Sequence, residues 1–374
     1  MRFRITHRTR YAYSSPVHES FNEVRLRPAS DQTQTCLDFT LTIDPPASVI
    51  AFLDYYGNTV HDFSVPYQHS RLNIEAVSDV ITFDAPSPVN GIDGDRSPML
   101  DGLTSDESFA NDQAEFLIPS TYVALEDQTL ELAQHLLAAD PEISAYGFLL
   151  AAAAFIAENL TYQIGTTTVH STVAEVLAGG SGVCQDFSHV LITLCRHAGL
   201  PARYVSGYLG NVSAAEASHA WVEAFVPPYG WVGFDPTSGT PCAGRHIKIA
   251  VGRDYADVAV ARGTYRGGHA QELEVNVTSE VIDDTQGIVL GSPYRRGELV
   301  QYQTLGGMRQ FQRMGAMVQQ QGLSAGVVGS DELATGVMMH HPDIGGEIPR
   351  QQPQQQQQSA DTNDQDKGQA WISA

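Results

Sequence analysis

Gly179-Gly180-Ser181-Gly182-Val183-Cys184-Gln185-Asp186-Phe187-Ser188-His189 is a glycine-rich turn that runs into an apolar helix, and its reading decides the fold. Phe187, Leu191, Leu194, Cys195 and Ala198 recur at helical spacing and are expected to form the buried stripe of that helix. Cys184 heads the same stripe. A cysteine at a helix N-terminus meets unpaired N–H groups and the positive end of the macrodipole, and both favour the thiolate. The same N–H groups, that of Cys184 included, can hold an oxyanion. Gly180 and Gly182 would let a substrate backbone come close. The bland alternative is a buried structural thiol, the usual fate of a free cysteine. Cys195, on nearly the same helix face, fits that description.

Downstream, His219-Ala220-Trp221-Val222-Glu223-Ala224-Phe225-Val226 alternates as a strand, and Pro227-Pro228-Tyr229-Gly230 reads as a turn. Trp231-Val232-Gly233-Phe234-Asp235 then returns as a second strand. A hairpin would bring Asp235 beside His219, where a carboxylate fixes the tautomer and aims the ring at a thiol. The two side chains share a face only if the pairing register is even. A strict four-residue loop would put Asp235 on the wrong face, so an odd loop or a bulge is predicted. Taken alone, His219 reads more readily as a histidine at the edge of a core hairpin.

Upstream the chain changes character. Phe3, Ile5, His7, Thr9 and Tyr11 fall on one face of a strand, with Arg2, Arg4, Arg8 and Arg10 on the other. Leu37, Phe39, Leu41 and Ile43 repeat the pattern until Asp44-Pro45-Pro46. Residues 1–84 therefore read as a small β sandwich or barrel. Prolines and glycines from Pro86 to Pro98 open a linker over 85–113. Residues 114–282 read as helices first and an antiparallel sheet afterwards, an α+β arrangement. Helices are expected around Leu125–Leu137, over Ala145–Leu160, and from Thr172 to Ala178 with Ser171 as N-cap. From 283 to 374 the chain is rich in Gly, Gln and Met, with a run from Gln354 to Gln358, and is expected to be largely disordered.

The formal charge of −22 argues against nucleic acid or an anionic membrane as partner. Four scattered cysteines are no disulfide framework, and no long apolar run or leader-like segment occurs, so a cytoplasmic, reduced protein is expected. Cys184, His189, Cys195 and His197 look like a zinc string, but helical phase puts the histidines on different sides from the cysteines. Asp93-Gly94-Asp95 is too short for a calcium loop of the EF-hand kind. No metal and no cofactor is expected, and oligomeric state is not legible.

Three strings resemble the bacterial branch of the transglutaminase-like superfamily: residues Gly182 to His189, Ser218 to Glu223, and Gly230 to Thr237. Gly199 to Tyr208 and Gly252 to Val258 look like that family too, and the first ~85 residues look like the small β domain that precedes its core. The resemblance implies a papain-like core with Cys184 as nucleophile, His219 as base and acid, and Asp235 as orienting carboxylate. It makes Tyr162 a candidate second oxyanion donor beside the Cys184 N–H; strand packing is the plainer role for that tyrosine. The resemblance does not imply one reaction; the leading expectation is acyl chemistry through a Cys thioester on a protein or peptide amide or glutamine donor, with hydrolysis favoured because water is always present and no acceptor site is legible. The alternatives are glutamine-to-amine cross-linking, as by a protein-glutamine gamma-glutamyltransferase, and a non-catalytic binding or scaffold module. Only two lysines, Lys248 and Lys367, are available as amine acceptors for self-linkage through the glutamine tail.

Overall fold

The computed structural model describes residues 1–83, 97–104, 107–210, 218–267 and 271–282. The expectations for the first half of the linker and for the glutamine-rich tail fall outside those residues.

Strand β1 (Arg2–Val24) organises the N-terminal unit, with β2 (Gln34–Asp44), β3 (Val49–Leu53), β4 (Thr59–Val65) and β5 (His69–Thr82). The sheet order is β2-β5-β1-β4-β3, all antiparallel. The alternation read from the sequence is the one observed: Phe3, Ile5, His7 and Thr9 are buried while Arg4, Arg8 and Arg10 face water. Irregular register between Ala12 and Val17 and between His18 and Phe21 bends β1, so one long strand serves two halves of a curled sheet. Phe39, Leu41, Ile43, Phe63, Leu72 and Ile74 fill the curl.

Residues 97–112, read as linker, are partly helical: α1 (Leu100–Thr104) and α2 (Glu107–Asp112). Leu100 and Leu103 are buried in the main core. Their i, i+3 spacing was masked by the surrounding glycines and acidic residues. Next come α3 (Asp127–Ala139), α4 (Ala145–Asn159), the short β6 (Thr161–Tyr162), α5 (Val173–Gly179) and the short β7 (Ser181–Gly182). Ser144 caps α4, accepting the Gly147 N–H. The cap of α5 is Thr172, one residue beyond the predicted Ser171. Its hydroxyl accepts the Glu175 N–H while the Glu175 carboxylate accepts the Thr172 N–H.

Helix α6 (Cys184–His197) runs through the centre of the domain, buried all round. The sequence suggested a single apolar stripe; in fact Gln185, Asp186, Ser188, His189, Thr193 and Arg196 are buried as well. Burial is tolerated where such groups find partners, as Asp186, Ser188, His189, Thr193 and the Arg196 terminal nitrogens do. Ser188 and Thr193 donate to the carbonyls four residues back, and Arg196 donates to the carbonyls of Ile118, Ala202 and Arg253.

Strands β8 (Ala202–Leu209), β9 (Ser218–Val226), β10 (Gly230–Asp235), β11 (Thr240–Pro241) and β12 (His246–Gly252) form an antiparallel sheet in the order β11-β10-β9-β8-β12 against α6. A short α7 (Tyr255–Val258) follows. Then β13 (Ala261–Gly267) and β14 (Gln271–Val281) leave the core and pair with β1. Residues 261–281, grouped by sequence with the core, therefore belong to the N-terminal sheet. Long-range pairing of that kind has no local signature.

The two units are stitched along β12. This edge strand would otherwise expose its backbone. Instead the Gln34 amide donates to the Lys248 carbonyl and accepts its N–H, both at 2.7 Å. The Asn58 amide does the same at Val251, both at 2.8 Å. Lys248 bridges Asp31 of the first unit and Glu223 of β9, and Glu223 also pairs with Arg203. No helix among the described residues is long and apolar enough to cross a membrane.

Candidate active site

Helix α6 starts at Cys184 because Val183 is still extended, and Asp186 accepts the Val183 N–H at 2.8 Å. Val183 has no side-chain acceptor to return the favour, so the first-turn N–H groups stay free of any cap from that residue. The Asp186 carboxylate also accepts the Thr167 hydroxyl at 2.7 Å, which ties the 163–171 loop to the helix start. Cys184 is only partly buried, whereas Cys195 is sealed off.

The β9–β10 turn settles the facing of the other two groups. Gly230 pairs with Val226 and Trp231 with Phe225, leaving three residues, 227–229, in the loop. Gly230 takes a left-handed φ of 77°, which a β-carbon would resist. The loop is odd, as the parity argument required, and Asp235 lies on the same face as His219.

His219 Nε2 lies 2.9 Å from Asp235 Oδ2, and both side chains are buried. The ring also hydrogen-bonds Cys184; with Nε2 engaged by Asp235, Nδ1 is the atom left for sulfur. Burial alone would push His219 down. The bonds to Asp235 and Cys184 outweigh it and hold the imidazolium up to about 10. Burial works against the Asp235 charge too, but the bonds from His219 and His246 hold its carboxyl well below the usual range. Asp235 Oδ1 accepts the Thr237 N–H at 2.9 Å.

Trp221 backs the assembly. Its ring lies 6.4 Å from His219 and 5.2 Å, edge-on, from His246. Gly207, paired with His219 across β8, makes room for it: a β-carbon there would stand 2.4 Å from the indole.

Tyr162 is brought to the same end of the helix. Strand β6 pairs in parallel with β7, setting Tyr162 against Gly182, two residues before Cys184. Its ring is half exposed and edge-on to Phe187. The zinc string does not assemble. His189 accepts the Tyr255 N–H and stacks on Tyr122, and His197 bonds Thr129. The residues missed by sequence reasoning are Asp186, Thr167 and His246. Asp186 at the third helical position carried a capping signal; His246 carried none, since the chain reaches Asp235 only by crossing back from β11.

A thiol at a helix N-terminus, an imidazole bonded to it and a buried carboxylate behind the imidazole, on a helix-then-sheet core, define a Cys–His–Asp constellation of papain-like type. The chain belongs to the transglutaminase-like superfamily. Residues 132–236 match the transglutaminase-like superfamily model, and residues 3–81 match the bacterial transglutaminase-like N-terminal region. An uncharacterised protein of Mycobacterium leprae is 33% identical over 283 residues, which is 74% of this chain and 97% of that one. A protein-glutamine gamma-glutamyltransferase of Pseudomonas aeruginosa is 39% identical over 67 residues, 15% of this chain and 10% of its own. Among solved structures, a Cytophaga hutchinsonii protein described provisionally as a cysteine protease is similar with a TM-score of 0.57 and 26% identity. That match covers 76% of this chain and 92% of the other.

Proposed function

We propose that the protein performs acyl chemistry on amide or peptide bonds through a Cys184 thioester, with water as the favoured acceptor. The observation that carries this reading is His219 bonded on one side to Cys184 and on the other to buried Asp235. The Cys184 thiolate attacks a carboxamide carbonyl, and first-turn N–H groups of α6 hold the resulting oxyanion. Tyr162 is the candidate for a second donor there. The His219 imidazolium gives its proton to the departing amine as the C–N bond breaks, leaving the thioester. His219, now neutral, takes a proton from water, which attacks the thioester. The acid leaves and the thiolate–imidazolium pair is restored. Asp235 keeps the ring oriented throughout.

Aminolysis is the second reading, and the local likeness to the Pseudomonas aeruginosa transferase favours it. A primary amine would take the place of water in the second half-reaction. One experiment separates the readings: incubate wild-type protein with glutamine-containing peptides, with and without a primary amine, and follow ammonia and peptide mass. Deamidated or cleaved peptide regardless of amine supports hydrolysis. Amine adducts in excess support transfer. No thioester on Cys184 with any donor, together with a thiol inert to iodoacetamide at neutral pH, defeats both.

A further inference from the structure

Asp235 has a second histidine. His246 Nε2 lies 3.3 Å from Asp235 Oδ2, the same oxygen that meets His219 at 2.9 Å. The His246 side chain is 5% exposed, so this bond is shielded from water. Its tautomer follows from its other nitrogen. The Ala243 N–H points at His246 Nδ1 at 3.1 Å. A backbone N–H can only donate, so Nδ1 is an acceptor and carries no proton. The Ala243 carbonyl lies further off, at 3.3 Å. The remaining proton is on Nε2 and points at Asp235. His246 thus donates from Nε2 to Asp235 and accepts at Nδ1 from Ala243.

We propose that His246 is a positioning residue, a neutral Nε2–H imidazole that fixes the Asp235 carboxylate in the orientation that serves His219. The proposal rests on the thiol reading of the site above. Three donors fill Asp235: His219 Nε2, His246 Nε2 and the Thr237 N–H. With all three in place the carboxylate cannot rotate without losing a bond in a buried setting. The His246 hydrogen bond also makes the Asp235 carboxylate a weaker acceptor toward His219. An imidazolium bound too tightly by its carboxylate gives up its proton reluctantly, and this one must release it to the leaving amine. The titratable groups around Asp235 are His219 from β9, His246 at the start of β12 and Cys242 after β11, with Cys184 of α6 beyond His219.

His246, Asp235 and His219 present ligand atoms within 4.8 Å of one another, so a divalent cation is the competing occupant. The hydrogen-bond reading is preferred because every one of these atoms already has a partner of the right polarity.

The test compares wild type, His246→Phe and His246→Gln as full-length protein. Glutamine can place an amide N–H where Nε2 stood; phenylalanine keeps the packing on Trp221 and removes the donor. In His246→Phe, kcat on a glutamine peptide is expected to fall about 10- to 100-fold with KM little changed, the usual cost of a slightly misplaced catalytic group. The alkaline limb of Cys184 alkylation, which reports His219, is expected to move up by about half a unit, because one neutral hydrogen bond is withdrawn from Asp235. His246→Gln should recover most of the rate and the original limb. In wild type, side-chain 15N shifts should show His246 protonated at Nε2 alone at neutral pH. Wild-type kinetics and pH limb in His246→Phe overturn the proposal. So does a doubly protonated His246, or a stoichiometric metal in the purified protein that His246→Phe releases. If His246→Phe does not fold, the 15N tautomer and the glutamine variant still decide. Alkylation needs no substrate: a limb that shifts without peptide turnover leaves the positioning role standing and sinks the amide chemistry. Wild-type alkylation identical to that of a free thiol sinks the thiol reading itself.

Discussion

Helix α6 has a cysteine near each end, and the two surroundings share almost nothing. At the N-terminal end, Cys184 is partly open, opens the first turn of α6 with no side-chain cap from Val183, and bonds His219. Eleven residues on, Cys195 is fully buried, and burial pushes its thiol up to about 12. The neighbouring cation differs too. His219 faces the first sulfur directly, whereas the Arg196 guanidinium is turned away to the carbonyls of Ile118, Ala202 and Arg253. One residue type on one helix is thus partly open beside an imidazole or wholly buried, according to which end of the helix holds it and what the sheet places opposite.

The sharpest way to break this comparison is to remove each sulfur in turn. Cys184→Ala is expected to abolish thioester formation and lower turnover by on the order of 10⁵- to 10⁶-fold, the scale for loss of a nucleophile. Cys195→Ala should leave turnover per folded molecule unchanged and cost about 1 kcal/mol of stability for the small cavity. Peptide turnover assays and urea denaturation read the two effects separately. Comparable losses of turnover in both variants would end the distinction between the ends.

The next largest effect belongs to the C-terminal end. Arg196→Ala removes a buried cation and leaves several carbonyls without a donor, so about 3 kcal/mol of stability should be lost. Alkylation of Cys184 in the folded fraction should hardly change. A variant of wild-type stability would mean that water replaces the guanidinium without cost.

His219→Ala tests the other end. Losing the imidazolium removes the cation that faces the sulfur, so Cys184 alkylation at neutral pH should slow in His219→Ala. The stability consequence has a definite sign. His219 is raised from 6.5 to about 10 on folding. Its contribution is complete below pH 6.5 and fades as pH climbs through 10. Denaturation at several pH values should show the wild type's advantage over His219→Ala shrinking across that window. An advantage that grew with pH would place the neutral ring in the folded protein.

How far the sequence reaches follows from what each residue depends on. The elements that carry Cys184, His219 and Asp235 were legible because each is a local pattern (a glycine turn into a helix, an alternating strand, a hairpin with a parity constraint), while their grouping was read from the three strings together. The face pattern of β1 was legible for the same reason. Residues 261–281 were misplaced because their partner, β1, lies some 250 positions away in the chain. His246 was invisible because nothing local marks a residue that meets its partner by crossing a sheet. The polar residues buried along α6 hid the all-round burial of that helix, since their partners are either the helix's own carbonyls, as for Ser188 and Thr193, or groups distant in sequence, as Arg253 is for Arg196.

Asp186 gives the smallest and most discriminating test. Its carboxylate accepts both the Val183 N–H and the Thr167 hydroxyl, so it sets where α6 begins and therefore where Cys184 stands. Asp186→Ala should cost about 1 kcal/mol, the worth of a helix cap, and loosen the 163–171 loop. Asp186→Asn is the informative partner. An amide oxygen can accept from both donors, and the buried charge two residues from Cys184 disappears. Burial raises the Asp186 carboxyl above its ordinary value despite those bonds. A carboxyl raised on folding binds its proton more tightly in the folded state, so its ionisation erodes stability as pH rises from the acid range. Asp186→Asn removes that slope. Its stability at pH 7 should therefore match or slightly exceed that of wild type, with the difference vanishing near pH 3. Cys184 alkylation should quicken, because a negative neighbour of the thiolate is gone. If Asp186→Asn instead loses as much stability as Asp186→Ala, the cap depends on charge rather than on acceptor geometry. The N-terminal end of α6 would then be tuned by the macrodipole more than by its hydrogen bonds.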